Sequence, residues 1–154
     1  MRRFTRALVV TVSLAALLLG AGGAMAITNG QPDAGRHPYV GLMVALDKNG
    51  VPLWRCSGSA LTSTVYLTAG HCTTAPAAHV EVWYGEGPVT TDPDYAAAVA
   101  ASPTGVVSCN ASPLFDGYPC KGDAGGTPHP NPDFCNPCGS GSVNFASHDT
   151  GVVK

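Results

Sequence analysis

The stretch Leu67-Thr68-Ala69-Gly70-His71-Cys72 places a histidine beside a cysteine, directly after small and apolar residues. Upstream lies a second stretch of the same character, Cys56-Ser57-Gly58-Ser59-Ala60-Leu61. An imidazole that acts as a general base must be held within hydrogen-bond reach of the group whose proton it takes. A cysteine next to the histidine can supply that rigidity through a disulfide. His71 is therefore a candidate general base.

Both stretches resemble the trypsin-like serine proteases. Residues 67–72 are similar to the histidine motif of that family, and residues 56–61 to the strand that precedes it. The resemblance implies a chymotrypsin-like fold, all β, in which residues 27–154 form the first six-stranded antiparallel barrel and the second barrel is absent. It also implies a disulfide between Cys56 and Cys72, and it covers Ile27–Tyr84 well and Asp149–Val153 weakly.

The first 26 residues have the composition of a secretory signal peptide. An arginine-rich start precedes an apolar run over Ala7–Leu19, and Ala24-Met25-Ala26 provides small residues for cleavage. The apolar run is shorter than the roughly 20 residues of a membrane-spanning helix. We therefore expect a secreted protein that has no membrane partner once the signal is removed. Cleavage would expose Ile27, and Ile27-Thr28-Asn29-Gly30 resembles the mature start of the same proteases.

The exported part, residues 27–154, is long enough for one domain with a core and too short for two barrels. Removing the three signal arginines leaves five basic residues against ten acidic ones. An acidic balance of this kind argues against nucleic-acid binding, which requires a basic patch. All six cysteines lie in the exported part, so we expect three disulfides.

Several segments of the first half have strand character. Tyr39–Leu46 is nearly continuous in apolar residues, and Asp47-Lys48-Asn49-Gly50 follows it with the Asn-Gly signal of a hairpin turn. Leu53–Leu61 and Val65–Thr68 are expected strands. His79–Tyr84 alternates apolar and polar residues, as in a half-buried strand.

Residues 85–142 differ in composition, with nine glycines and nine prolines, and we interpret them as a loop insertion. Within them, Tyr95–Ala101 supports at most two turns of helix before Pro103. One short strand is expected either at Val106-Val107 or at Val143–Phe145. Four cysteines lie in this range, and the sequence leaves their three possible pairings open: Cys109, Cys120, Cys135 and Cys138.

The resemblance assigns His71 the role of general base and requires an aspartate to orient it. In the family that aspartate precedes a short apolar strand, and Asp149-Thr150-Gly151-Val152-Val153 has this pattern. Asp149 is therefore the preferred candidate. Asp116, in an Asp-Gly turn, is the second choice. Asp94 is the third, and a helix cap is its more ordinary role.

No serine stands where the family would place its nucleophile. Gly122-Asp123-Ala124-Gly125-Gly126 resembles the nucleophile loop with alanine in place of serine, but it precedes Asp149, whereas the family order is His, Asp, Ser. We interpret it as an ordinary turn. Ser57 and Ser59 match a structural strand of the family. We therefore expect a serine endopeptidase chain, acting on protein or peptide substrates, that is truncated before its nucleophile and inactive alone.

One cysteine pair and one alternative function remain to be considered. Cys135-Asn136-Pro137-Cys138 has the spacing of a redox or zinc pair, but no second pair accompanies it, so a structural disulfide is favoured and no metal or cofactor is expected. The alternative function is a non-catalytic secreted β-domain, stapled by disulfides, that binds a protein partner.

Overall fold

The computed structural model describes residues 32–85, 87–111, 114–135 and 147–154. The signal segment 1–26, the expected amino terminus Ile27, Cys138 and the rival strand at Val143–Phe145 lie outside the described residues. All the elements below belong to one compact unit, Asp33–Lys154. In the described ranges, no helix is long and apolar enough to cross a membrane.

Within the described residues the fold is mostly antiparallel β with little helix, and it has seven strands where six were expected. One sheet contains all seven strands in the order β5-β4-β1-β2-β3-β7-β6, and every neighbouring pair is antiparallel. The sheet curls into a nearly closed barrel. The strands are β1 (Val40–Leu46), β2 (Pro52–Thr62), β3 (Val65–Thr68), β4 (His79–Tyr84), β5 (Ala124–Gly126), β6 (Pro128–Pro130) and β7 (Gly151–Val153).

The first hairpin forms at the turn that the sequence predicts. The backbone N–H of Gly50 donates to Asp47 O at 2.9 Å, and Gly50 adopts a φ of 77°, which glycine tolerates without steric cost. The Asp47 carboxylate also accepts the N–H groups of Asn49 and Val51 at 2.8 Å. These bonds fix the register in which β1 pairs with β2.

The inside of the barrel is a core of alternate residues from several strands. Side chains of a strand point alternately to its two faces, so every second residue of β1 and β4 enters the barrel. The Tyr66 hydroxyl crosses the interior and donates to Gly41 O at 2.6 Å, and burial raises the pKa of Tyr66. The buried members of this core are Met43, Ala45, Tyr66, Cys72, Val80, Val82 and Val153.

A second core covers the outer face of β1 and β4. Here the other set of alternate residues, including Val44 and Leu46, packs against the segment that follows β4. That segment contributes the buried residues Cys109, Phe115 and Cys120, together with half-buried aromatic side chains. Because β1 is buried on both faces, it reads as a continuous apolar run in the sequence.

Parts of the range 85–142, which we interpreted as a loop insertion, have regular secondary structure. The range contains a helix, α1, at Pro93–Ala101, and the strands β5 and β6. Val106-Val107, one of the two positions expected for a strand, has no strand structure. The strands lie instead in the Gly/Pro-rich stretch, where side-chain patterns give no period to detect.

β5 and β6 together close the barrel. β5 pairs with β4, and after the single residue Thr127 the chain continues as β6, which pairs with β7. Thr127 itself exchanges backbone hydrogen bonds with Lys154 at 2.7 and 3.1 Å. The two ends of the sheet are therefore one continuous piece of chain. β6 carries two prolines, Pro128 and Pro130.

Candidate active site

The end of β3 and the disulfide beside it position His71. After β3 ends at Thr68, residues Gly70–Cys72 form one turn of 3-10 helix that contains the histidine. Cys72 is joined to Cys56 of β2, and the Trp54 indole N–H donates to Cys72 O at 3.0 Å. The histidine turn is thus tied to β2 at two points.

Asp149 lies in a tight turn just before β7. His148 adopts a φ of 54°, and the N–H of Thr150 donates to His148 O at 2.7 Å. Pairing of β3 with β7 sets Thr68 opposite Gly151, so the end of one strand and the start of the other lie side by side. Because the antiparallel pair fixes both positions, residues 78 apart in sequence meet at one end of the barrel.

The Asp149 carboxylate contacts His71 through both of its oxygens. Oδ1 accepts the backbone N–H of His71 at 2.8 Å, and Oδ2 lies 2.9 Å from the ring Nδ1. An acceptor at Nδ1 favours the tautomer in which Nδ1 carries the proton and Nε2 is free to accept one. The His71 side chain is 55% exposed, and its Nε2 makes no hydrogen bond with any residue that the structure describes.

The same contacts set the charge state of the carboxyl. The backbone hydrogen bond from His71 lowers the pKa of Asp149 below its ordinary value, and burial opposes this to a lesser extent. The hydrogen bond from the His71 ring lowers it further.

The other two candidate aspartates lie elsewhere. Asp116 pairs with Lys121 on the surface, where both side chains are largely exposed. Asp94 lies inside α1, and the helix cap is Asp92, whose carboxylate accepts the N–H groups of Asp94 and Tyr95. The expectation that Asp94 caps the helix is therefore wrong by two residues.

The stretch 122–126 belongs to the barrel wall. The N–H of Asp123 donates to Val82 O at 2.8 Å, and its carboxylate accepts the N–H of Tyr84 at 2.7 Å. Ala124, in the position that resembles the nucleophile, is the first residue of β5. This stretch is thus a barrel strand and its approach, where the sequence indicated an ordinary turn.

The cysteines that the structure describes form disulfides. Cys56 pairs with Cys72, and Cys109 pairs with Cys120, while Cys135 is also disulfide-bonded. The sulfurs of Cys56 and Cys72 and a ring nitrogen of His71 lie within 4.8 Å of one another, which is close enough to share a metal ion. A disulfide offers no thiolate, and thiolate is the form of cysteine that binds metal. The disulfides indicate an extracellular or otherwise oxidising environment.

The sequence did not indicate two residues that stabilise the surroundings of the pair, Thr73 on the His71 side and Asn131 on the Asp149 side. Buried Thr73 donates its hydroxyl to Gly70 O at 2.9 Å, and Asn131 donates to Thr150 next to Asp149. In the sequence, Thr73 is marked only by its closeness to the His71 motif. Asn131 is marked only by the sequence Asn-Pro-Asp, which is typical of a turn. Comparison of the chain with protein-family models, curated proteins and solved structures finds no match.

Proposed function

We propose that this chain supplies the general base and its orienting carboxylate to a serine-type endopeptidase of trypsin-like type. One observation carries the proposal: the Asp149 carboxylate holds both the backbone N–H and the ring Nδ1 of His71, and leaves Nε2 exposed. The resemblance of residues 56–61 and 67–72 to the trypsin-like proteases supports the same reading. The position of the pair at one end of an antiparallel barrel agrees with it.

In the proposed mechanism, His71 transfers the proton and Asp149 orients His71. His71 accepts the proton of a serine hydroxyl at Nε2 as that hydroxyl attacks a peptide carbonyl, and later gives the proton to the leaving amine. Asp149 keeps Nδ1 protonated and stabilises the imidazolium that forms between these steps.

The serine in this proposal comes from polypeptide outside the described residues. Ser57 and Ser59 belong to β2, where Ser57 O accepts the Thr68 hydroxyl at 2.9 Å and Ser59 pairs with Leu67. Ser57 and Ser59 therefore contribute to the pairing of β2 with β3, next to the histidine turn. We also propose that the protein is exported by its first 26 residues, in agreement with its disulfides.

A fluorophosphonate probe tests the proposal, because it labels serines that a neighbouring base has activated. The protein would be purified in the form its host produces and assayed for labelling and for hydrolysis of a peptide panel. We expect both signals, and we expect their loss in His71→Ala. His37→Ala is the matched control, since His37 lies in an exposed turn and pairs with Asp33.

Two outcomes would contradict the proposal. Hydrolysis that persists in His71→Ala would show that another group is the base. If the native protein shows no labelling and no hydrolysis, the alternative function, a β-domain that binds a protein partner, is favoured.

Residues 27–154 expressed alone are expected to hydrolyse no peptide, since a nucleophile loss costs about six orders of magnitude in turnover in a well-studied serine protease.

A further inference from the structure

We infer that Asn131 is a positioning residue for the His71–Asp149 pair, acting through Thr150. Asn131 follows β6 directly, and it contacts the residue after Asp149 in two ways. Its backbone N–H donates to Thr150 O at 2.9 Å, and its side-chain Nδ2 donates to Thr150 Oγ1 at 3.1 Å. Only the expected effect on peptide hydrolysis rests on the proposed function.

The Asn131 side chain is itself held in place. Its Oδ1 accepts the N–H of Asp133 at 3.0 Å, and its backbone carbonyl accepts the N–H of Phe134 at 2.9 Å. These bonds make a compact turn in which the amide has its donor aimed at Thr150. A side chain fixed at both ends loses little conformational freedom when it holds its partner.

The same turn reaches the histidine arm. A Cβ added to Gly70 would lie 3.0 Å from Phe134 Cδ2 and 3.0 Å from Thr150 O, so the Gly70 backbone packs against both. Gly70 immediately precedes His71, and Thr150 immediately follows Asp149. The segment 131–134 therefore touches the neighbour of each member of the pair, one by hydrogen bonds and one by packing.

A second contact supports the aspartate arm from further along the chain. Cys135 and Ser147 exchange backbone hydrogen bonds at 3.2 and 3.0 Å. The turn that carries Asp149 is therefore attached to the segment 131–135 on both sides, at Ser147 before it and at Thr150 after it. The side-chain bond from Asn131 is the one that substitution can remove without altering the backbone.

The test uses Asn131→Ala and Thr150→Val in the full chain. Thr150→Val keeps the shape of the side chain and removes the acceptor, while Thr150→Ser keeps the hydroxyl and is the matched control. Two NMR signals report on the pair without any need for catalysis: the downfield resonance of a hydrogen-bonded Nδ1–H of His71, and the carboxyl carbon titration of Asp149.

We expect both variants to weaken the Nδ1–H resonance and to raise the pKa of Asp149 toward its ordinary value, because the carboxylate would accept the His71 N–H less often. The double variant should change both signals no more than Asn131→Ala alone, since both substitutions remove the same side-chain bond between Asn131 and Thr150, and Asn131→Ala also removes the bond to the Asp133 N–H. Thr150→Ser should leave both signals unchanged. In protein that hydrolyses peptides, kcat/KM should fall roughly 10- to 100-fold.

A purely structural role would give a different result. Tyr66→Phe serves as the comparison, because it removes a hydrogen bond in the barrel interior away from the pair. If Asn131→Ala lowers the melting temperature but leaves the Nδ1–H resonance and the Asp149 titration unchanged, as expected for Tyr66→Phe, the inference is overturned. If the protein purified from its host hydrolyses nothing, the proposed function is overturned, whereas the NMR outcomes still decide whether Asn131 positions the pair.

Discussion

Asp149 binds the backbone of His71 as well as its ring, and this double contact links the charge of one carboxyl to the stability of the fold. The backbone bond is the larger cause of the lowered pKa of Asp149. A group with a lowered folded-state pKa stabilises the fold above its unfolded pKa, and that contribution is lost as the pH falls through the folded value. The acid side of the stability profile should therefore depend on Asp149.

Asp149→Asn tests this at neutral and acidic pH. The variant should be less stable than the wild type near pH 7, and the difference should shrink as the pH falls below the ordinary aspartate range, because the wild type then loses the same charge. Thermal unfolding at a series of pH values measures it. Asp116→Asn is the control, because its pair with Lys121 is solvent-exposed and screened, so the substitution should change the stability little at any pH. A difference that is constant with pH would contradict the linkage.

The sequence predicted the two residues of the pair, but not the residues that hold them. His71 lies in a local motif, and Asp149 precedes a recognisable apolar strand, so both are visible in a short window of sequence. Asn131 acts through its hydrogen bond to Thr150, and no short stretch of sequence contains both residues. The misplaced helix cap has a smaller cause: Asp92 and Asp94 flank a proline that is allowed in the first turn.

Strands were predictable where side chains alternate and were missed where they do not. β1, β2, β3 and β4 were expected from apolar runs and alternation, and they form close to the predicted bounds. β5 and β6 read Ala-Gly-Gly and Pro-His-Pro, so they present almost no side-chain pattern. Their pairing is set by backbone hydrogen bonds to β4 and β7, which composition does not reveal.

The hydroxyl of Tyr66 connects β3 to β1 inside the barrel. Tyr66→Phe removes its bond to Gly41 O and leaves that carbonyl with one partner fewer in a buried place. We expect a loss of about 1–2 kcal/mol in the free energy of unfolding, measured with denaturant. Tyr39→Phe, in a side chain that is 48% exposed, should be close to neutral. Equal effects of the two substitutions would exclude the bond as the cause.

The segment over the outer face of β1 and β4 should loosen independently of the barrel. The Cys109–Cys120 disulfide closes a short loop, and bridges of this size contribute about 2–3 kcal/mol in the chain-entropy model. In Cys109→Ala/Cys120→Ala, hydrogen exchange should quicken over residues 93–121 and stay slow in β1 to β4. Faster exchange throughout the chain would mean that the outer core and the barrel unfold as one unit.

Closure of the barrel depends on one close approach at the level of the whole molecule. Gly126 lies so near Lys154 O that an added Cβ would clash with the backbone. Gly126→Ala should therefore separate β5 from the end of β7 and cost about 1–3 kcal/mol, as overpacked sites do. Chemical denaturation measures it. Gly125→Ala is the matched neighbour, whose nearest atoms, at 3.1 Å, include flexible His79 and Glu81 side chains, and it should cost less.

The two prolines of β6 bear on how this barrel behaves in a crowded solution. β6 is the last strand in the sheet order, and of its three residues only His129 has an amide hydrogen. An incoming strand needs a row of donors and acceptors to add itself to a sheet, and proline interrupts the row. We therefore expect this edge to accept strands from other molecules poorly, which disfavours fibril growth there.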